Sequence, residues 1–137
     1  MENRVFAQGA ELTGRGVSFR TWAPRKNNAS VVIFDEKNSI LRELPLEREA
    51  TGYYSTTDSA SSAGTLYKYR LDGEVFPDLA SRFQPQGVHG PSQVVDGRSF
   101  RWMDFGWKAP ALRELVIYEA HVGTFTPEGT FEAVIAR

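Results

Sequence analysis

Hydrophobic and polar positions alternate in short runs over the first half of the chain. Val17-Ser18-Phe19-Arg20-Thr21 sets Val17, Phe19 and Thr21 on one face, as a half-buried strand requires. Trp22 falls on the other parity and Pro24 stops the run. The expectation is a strand that bulges at Trp22 or lays the indole over an end of the core. Because a tryptophan buries so much area, Trp22 is read as core. Val31-Val32-Ile33-Phe34 is apolar on both parities and predicts a central strand. Ile40, Leu44 and Leu46 share a face, and Pro45 between them predicts an edge strand. Tyr53 to Thr57 is rich in strand-forming residues. Ser59 to Gly64 is a loop of small residues, expected to be mobile. Tyr67, Tyr69 and Leu71 alternate with Lys68 and Arg70, and Asp72-Gly73 supplies the two positive-φ positions of a type I′ hairpin returning through Glu74-Val75-Phe76. About seven short strands with regular turns predict an all-β, immunoglobulin-like antiparallel β-sandwich over residues 1–76.

Regular periodicity fades from Pro77 to Pro110, where proline and glycine punctuate the chain. Residues 77–114 therefore read as an irregular connector. Phe83, Phe100, Trp102, Phe105 and Trp107 make it too aromatic for a solvated linker, so it is expected to pack at a domain interface. Leu115 to Val122 is largely apolar on both parities, as a strand covered on both faces would be. Phe131, Val134 and Ile135 then recur at helical spacing. Residues 115–137 thus read as a truncated first βα unit of a TIM barrel, the front end of a larger enzyme. A lone strand of this kind is expected to fold back on the sandwich edge, pair with another copy, or order poorly.

Composition changes this picture little. In 137 residues, 41% hydrophobic and 24% charged content is ordinary for a globular protein, and a net charge of −1 argues for neither nucleic acid nor an anionic membrane as partner. Neither a signal peptide nor a membrane span is legible, and cysteine is absent, so a cytoplasmic location is the default. Two histidines without cysteine make a zinc site a poor reading, and no cofactor is implied. Gly14-Arg15-Gly16 opens like a dinucleotide loop, but a strand follows where a helix would be needed. The acidic pairs Asp35/Glu36, Glu47/Glu49 and Asp72/Glu74 lie at turns, where solvated charge is the better account than acid–base catalysis. His89 reads as a packed loop histidine.

Several stretches together resemble one family. Gly16 to Pro24 (GVSFRTWAP) and Leu66 to Gly73 (LYKYRLDG) are similar to N-terminal modules of glycoside hydrolase family 13, the immunoglobulin-like domains grouped with carbohydrate-binding module family 48. Pro77 to Pro85, Gly87 to Ser92 and Ile117 to Phe131 resemble, more specifically, the malto-oligosyltrehalose trehalohydrolase family. The resemblance implies a complete enzyme that is a retaining glycosidase on a (β/α)₈ barrel. Such an enzyme cleaves the α-1,4 bond beside a terminal trehalose unit with one carboxylate nucleophile and one carboxylic acid. The later barrel strands that carry those groups are not in this sequence, so no catalytic residue transfers and the chain alone is expected to be inactive. Its implied partner is the catalytic barrel of the same parent chain, with α-1,4-glucan as a further candidate. Tyr118 and His121, near the end of the expected barrel strand, are the candidate substrate-binding residues in an intact enzyme; His121 filling the barrel's upper layer is the alternative.

Trp22, Trp102 and Trp107 are the obvious sugar-stacking candidates. The glucan-binding members carry an aromatic and polar cluster after the second or third strand, whereas this chain has Phe34-Asp35-Glu36-Lys37-Asn38 there, without tryptophan. Trp102 and Trp107 are accordingly read as interface residues. The rival functions are an α-glucan-binding module of a branching or debranching enzyme and an interaction-only sandwich.

Overall fold

A computed structural model describes residues 4–137. It divides into two compact units, one ending at Arg101 and one running from Trp102 to Arg137. The first is an immunoglobulin-like sandwich. Its strands are β1 (Gly9–Thr13), β2 (Gly16–Trp22), β3 (Ala29–Phe34), β4 (Ile40–Pro45), β5 (Glu47–Arg48), β6 (Tyr53–Asp58), β7 (Leu66–Leu71), β8 (Glu74–Phe76) and β9 (Ser92–Gln93). One antiparallel sheet has the order β1-β2-β6-β5. The other runs β4-β3-β7-β8, and β9 also pairs with β7. Alternation decides what lies between them: Val17, Phe19 and Tyr54 from the first sheet meet Val31, Ile33, Tyr67 and Tyr69 from the second. Each buried tyrosine hydroxyl finds an acceptor, Tyr54 at the Lys26 carbonyl, Tyr67 at Asp78 and Tyr69 at the Arg20 carbonyl. These are the partners a buried phenol needs.

The hairpin expected at Asp72-Gly73 is present, with φ of 48° and 94° at the two turn residues. β3 is central and β4 is an edge, as their patterns predict. Three side chains depart from expectation. Trp22 is not core: β2 pairs with β6 without a bulge through Trp22 opposite Tyr53, so the indole stays on the outer parity and is 57% exposed. Ile40 leaves the face of Leu44 and Leu46 because the register slips by one between Ile33 opposite Arg42 and Phe34 opposite Ile40. That bulge at Leu41 turns Ile40 outward, while Arg42 keeps the inward parity of Leu44. His89 is exposed, and what packs there is its carbonyl, which accepts from Lys68 Nζ at 2.8 Å.

The second unit contains a 3₁₀ turn at Leu112–Glu114 and two short helices, α1 (Val122–Phe125) and α2 (Phe131–Ile135). α2 lies where the helical spacing put it, with Thr130 Oγ1 capping the Ala133 N–H. The strand expected over Leu115 to Val122 does not form: residues 115–121 pair with no strand, and Val122 begins α1. Strand structure requires a ladder to take its backbone hydrogen bonds, and the second unit contains no strand to build one with this segment.

A polar cluster inside the sandwich locks the Ser59–Gly64 loop. Asp58 is 6% exposed, and its Oδ2 accepts from Ser61 Oγ at 2.6 Å and from Arg42 Nη2 at 2.5 Å, while Oδ1 accepts from the Ala60 N–H. Burial pushes the Asp58 carboxyl up, but those hydrogen bonds and the Arg42 charge outweigh it and hold the group below the ordinary aspartate value. The folded state therefore binds its proton less readily than the unfolded chain. The resulting stability is present above the ordinary carboxylate range and is lost as pH falls through it. Asp58→Asn is expected to lower stability at neutral pH by about 1–2 kcal/mol and to flatten the loss of Tm between roughly pH 5 and pH 3. Thermal unfolding of both proteins across that range checks it; parallel pH profiles would exclude this role.

Candidate functional site

Strict alternation in β2 and β6 gives the first sheet an outer face unlike its inner one. Trp22, Arg20 and Ser18 point outward from β2, opposite Tyr53, Ser55 and Thr57 of β6. The center of this face is held rigidly. Arg20 donates two hydrogen bonds to Glu49, at 2.8 and 2.6 Å, a third to the Ala7 carbonyl, and lays its guanidinium 3.6 Å above the Tyr53 ring centroid. The shared hydrogen bonds raise the Arg20 pKa and lower that of Glu49, so both stay charged and neutralise each other. Arg4 closes one side, donating to the Ser18 carbonyl and hydroxyl and to the Gly9 carbonyl, beside Glu11. Together these residues enclose an open trough of about 680 Å³ floored by Ser18, Arg20, Ser55 and Thr57. Trp22, the next outward residue of β2 after Arg20, is not part of the trough's lining and is exposed. Gly52 lies beside it; even a Cβ at that position would come 3.6 Å from the indole Nε1.

The face combines an exposed aromatic plane, a charge pair that cancels internally and a row of hydroxyls, of which Ser18's is bonded to Arg4 and Ser55's to Glu49. The opposite sheet carries a charge pair of its own on its outer face, Arg70 Nε donating to Glu43 at 3.0 Å beside Ser30, along a trough of about 380 Å³. Its outward Val32 is fully buried, Lys68 is bonded across to the 89 carbonyl, and Asn38 is bonded to Gln86. The Phe34–Asn38 stretch there is a tight turn in which Asp35 Oδ1 accepts from the Lys37 and Ser39 N–H groups.

Tyr118 and His121 lie in the second unit, Tyr118 in the irregular segment before α1 and His121 at the N-cap of that helix. Tyr118 sets its ring edge-on to Phe125, with centroids 6.2 Å apart, and His121 Nδ1 is 3.1 Å from Thr124 Oγ1. Both side chains are exposed, as are Trp102 and Trp107. Of the acidic pairs, Glu49 is committed to Arg20, Asp35 to its turn, and Asp72 to the N–H groups of Asn27 and Asn28. The Arg20–Glu49–Tyr53 constellation escaped the sequence because its members are 29 and 33 positions from Arg20. The one available signal was the odd parity of Trp22, which alternation alone places outside.

Comparison with known proteins agrees with this architecture. The profile of carbohydrate-binding module 48 (isoamylase N-terminal domain) matches residues 7–84. A malto-oligosyltrehalose trehalohydrolase of Saccharolobus solfataricus is 42% identical over 94% of the chain, and one of Deinococcus radiodurans is 38% identical over 90%. The chain spans only about a fifth of their length, 22% and 20% respectively. Among solved structures, a Salmonella typhimurium protein assigned as an alpha amylase superimposes with a TM-score of 0.81 at 38% identity, over 95% of this chain and 22% of that one. PulA from Klebsiella pneumoniae, solved as its maltotriose complex, gives 0.61 at 25% identity over 66% of this chain and 11% of its own. With the profile covering the strands β1 to β8 that build both sheets, the chain belongs to the carbohydrate-binding module 48 family.

Proposed function

We propose that this chain is the non-catalytic N-terminal module of a cytoplasmic glycosidase that hydrolyses the α-1,4-glucosidic bond next to the terminal trehalose of maltooligosyl trehalose, releasing trehalose. The observation that carries the reading is the gradient of likeness. Identity to the trehalohydrolases reaches 42% over 94% of the chain, against 29% over 81% for a Deinococcus radiodurans 1,4-alpha-glucan branching enzyme. On this reading the sandwich runs through β9 and Val94, the stretch after it to residue 114 is a connector that packs against the catalytic barrel, and 115–137 are the start of that barrel. Tyr118 and His121 then edge the sugar cleft of the intact enzyme. The paired carboxylates of the chemistry belong to the remainder of the parent.

The test grafts this chain in place of the N-terminal fifth of the Deinococcus radiodurans trehalohydrolase. The chimera is expected to release trehalose from maltooligosyl trehalose while the chain by itself releases none. Trehalose release by the isolated chain at a rate near the chimera's overturns the reading. So does a folded chimera that branches glucan instead.

A second reading, that the sandwich itself grips α-glucan, is favoured by one observation: Trp22 faces solvent on the outer side of its sheet rather than the core. Affinity electrophoresis through glycogen tests it, and a chain that is not retarded ends the reading.

A further inference from the structure

β3 carries apolar side chains on both parities, and such a strand needs cover on both faces. The first sheet covers Val31 and Ile33. Val32 and Leu66 point the other way, Val32 opposite Lys68 and Leu66 opposite Phe34. Both are buried, at 2% exposure or less for Val32 and 6% for Leu66, yet neither belongs to the core between the sheets. Their cover is the chain's own excursion between β8 and β9. Its stem is closed by the Gln93 N–H donating to the Phe83 carbonyl at 2.9 Å. Residues 84–90 then run over the outer face of the second sheet and are tied to it at two points. Gln86 Oε1 accepts from Asn38 Nδ2 at 2.7 Å beside the β3–β4 turn, and the His89 carbonyl accepts from Lys68 Nζ at 2.8 Å in the middle of β7.

We propose that residues 84–90 form a hinged strap that opens as a unit while the sandwich stays folded, baring the apolar strip of Val32, Phe34 and Leu66. The closed strap is shaped from within. The Gly87 N–H donates to the Gln84 carbonyl, the Gly90 N–H to the Gly87 carbonyl, and Gln84 Nε2 to the Val88 carbonyl. Gly87 has φ of +82°, and a Cβ at Gly90 would lie 2.8 Å from Gln86 Cβ, so both positions need glycine. A compact loop with its own hydrogen bonds moves whole. Its hold on the sheet is slight, because both ties are exposed and Pro85 to His89 are exposed with them. Its ends are fixed by contrast: Pro91, Ser92 and Val94 are buried, and Ser92 is bonded to Asp78. Opening therefore stops at Phe83 and Pro91. This goes beyond the proposed function, since it gives the module two folded states that differ in exposed apolar surface. Any partner that binds the bared strip shifts the balance between them.

The chain has no cysteine, so one introduced thiol reports on one position. Val32→Cys and Val31→Cys place it on opposite faces of β3, both at fully buried positions. Under native conditions Val32→Cys is expected to react with an aromatic disulfide reagent about 100-fold faster than Val31→Cys. Its rate should depend little on urea, because strap opening exposes far less surface than global unfolding. In the Val32→Cys chain, Gln86→Ala removes one tie and should speed the reaction about 3-fold, while Gly90→Ala distorts the strap and should speed it about 10-fold. Equal rates at positions 31 and 32, rising together with urea, overturn the proposal. So does a fast reaction at position 32 that Gln86→Ala and Gly90→Ala both leave unchanged, since the cover is then something other than the strap. Amide exchange in the unsubstituted chain does not depend on any variant folding. The Gly87 and Gly90 N–H groups should exchange well ahead of those of Val31 and Ile33, and equal protection of the four also overturns the proposal.

Discussion

Gly16→Ala is expected to cost about 4 kcal/mol, enough to lower the Tm of a domain of this size by roughly 15–30 °C. Two effects combine. Gly16 has φ of +121°, a region in which side chains are strained. A Cβ there would overlap the Asp58 carbonyl oxygen and lie 2.6 Å from Ser59 Cα and 2.9 Å from the Asp58 carbonyl carbon. Every one of these atoms is backbone, so relief requires moving the end of β6. That end is fastened by the Asp58–Ser61–Arg42 cluster, and shifting it would open a buried polar network. Gly73→Ala is the comparison: its φ is +94°, yet nothing lies within 4 Å of the added carbon, so conformational strain alone operates and about 1 kcal/mol is expected. Thermal unfolding followed by circular dichroism measures both. Equal losses for the two variants would show that the β6 backbone yields and that the close approach costs nothing.

The second large effect is expected at Asp78, which is 5% exposed. Its Oδ2 accepts from the Tyr67 hydroxyl at 2.6 Å, its Oδ1 from the Ala80 N–H at 2.8 Å, and its own N–H donates to Ser92 Oγ. Ser92 is completely buried and opposite Tyr67 across the β7–β9 pair. One residue thus joins β7, the following turn and β9. Asp78→Ala leaves a buried hydroxyl and N–H without partners, at a cost of about 3 kcal/mol. Asp78→Asn keeps the shape and is expected to cost under about 1 kcal/mol. Their pH dependence separates the carboxyl's charge from its hydrogen bonds. Burial raises the Asp78 pKa, and the hydrogen bonds from Tyr67 and Ala80 with the charges of Arg82 and Arg4 offset this only in part. The folded state then holds the proton to higher pH than the unfolded chain, so this group's contribution is full below the ordinary aspartate value and is lost as pH rises through the raised one. Asp78→Asn should therefore gain on the parent chain as pH rises from about 4 toward neutrality. A difference that stays constant with pH would mean the carboxyl titrates as in the unfolded chain.

What could be read in advance divides along physical lines. Asp72-Gly73 was legible because two adjacent positive-φ positions are a local demand, met by few residue pairs. β3 was legible because burial on both faces leaves a run of four apolar residues. Ile40 was not, since a bulge depends on the partner strand's register and writes no signature of its own. Trp22 misled because area favours burying an indole, whereas the alternation of Phe19 and Thr21 had already fixed its side. For Leu115 to Val122, apolar content described what the segment would do beside other strands rather than what it does among these residues. Asp58 and Asp78 drew no attention because their partners are side chains brought in by tertiary structure, Arg42, Ser61 and Tyr67 among them.

The double pairing along one edge of β7 has a consequence for how this module is cut from a gene. β8 covers the Tyr69–Leu71 half and β9 the Leu66–Tyr67 half, and Val94, 2% exposed, follows β9 into the interior. A reading frame ended after Phe76 would keep every strand from β1 to β8 yet strip half of that edge. The bared N–H and C=O groups of Leu66 and Tyr67 would then be open to recruiting a strand from a neighbouring molecule. Val94, eighteen residues past the end of the hairpin, is thus the true last stitch of the sandwich.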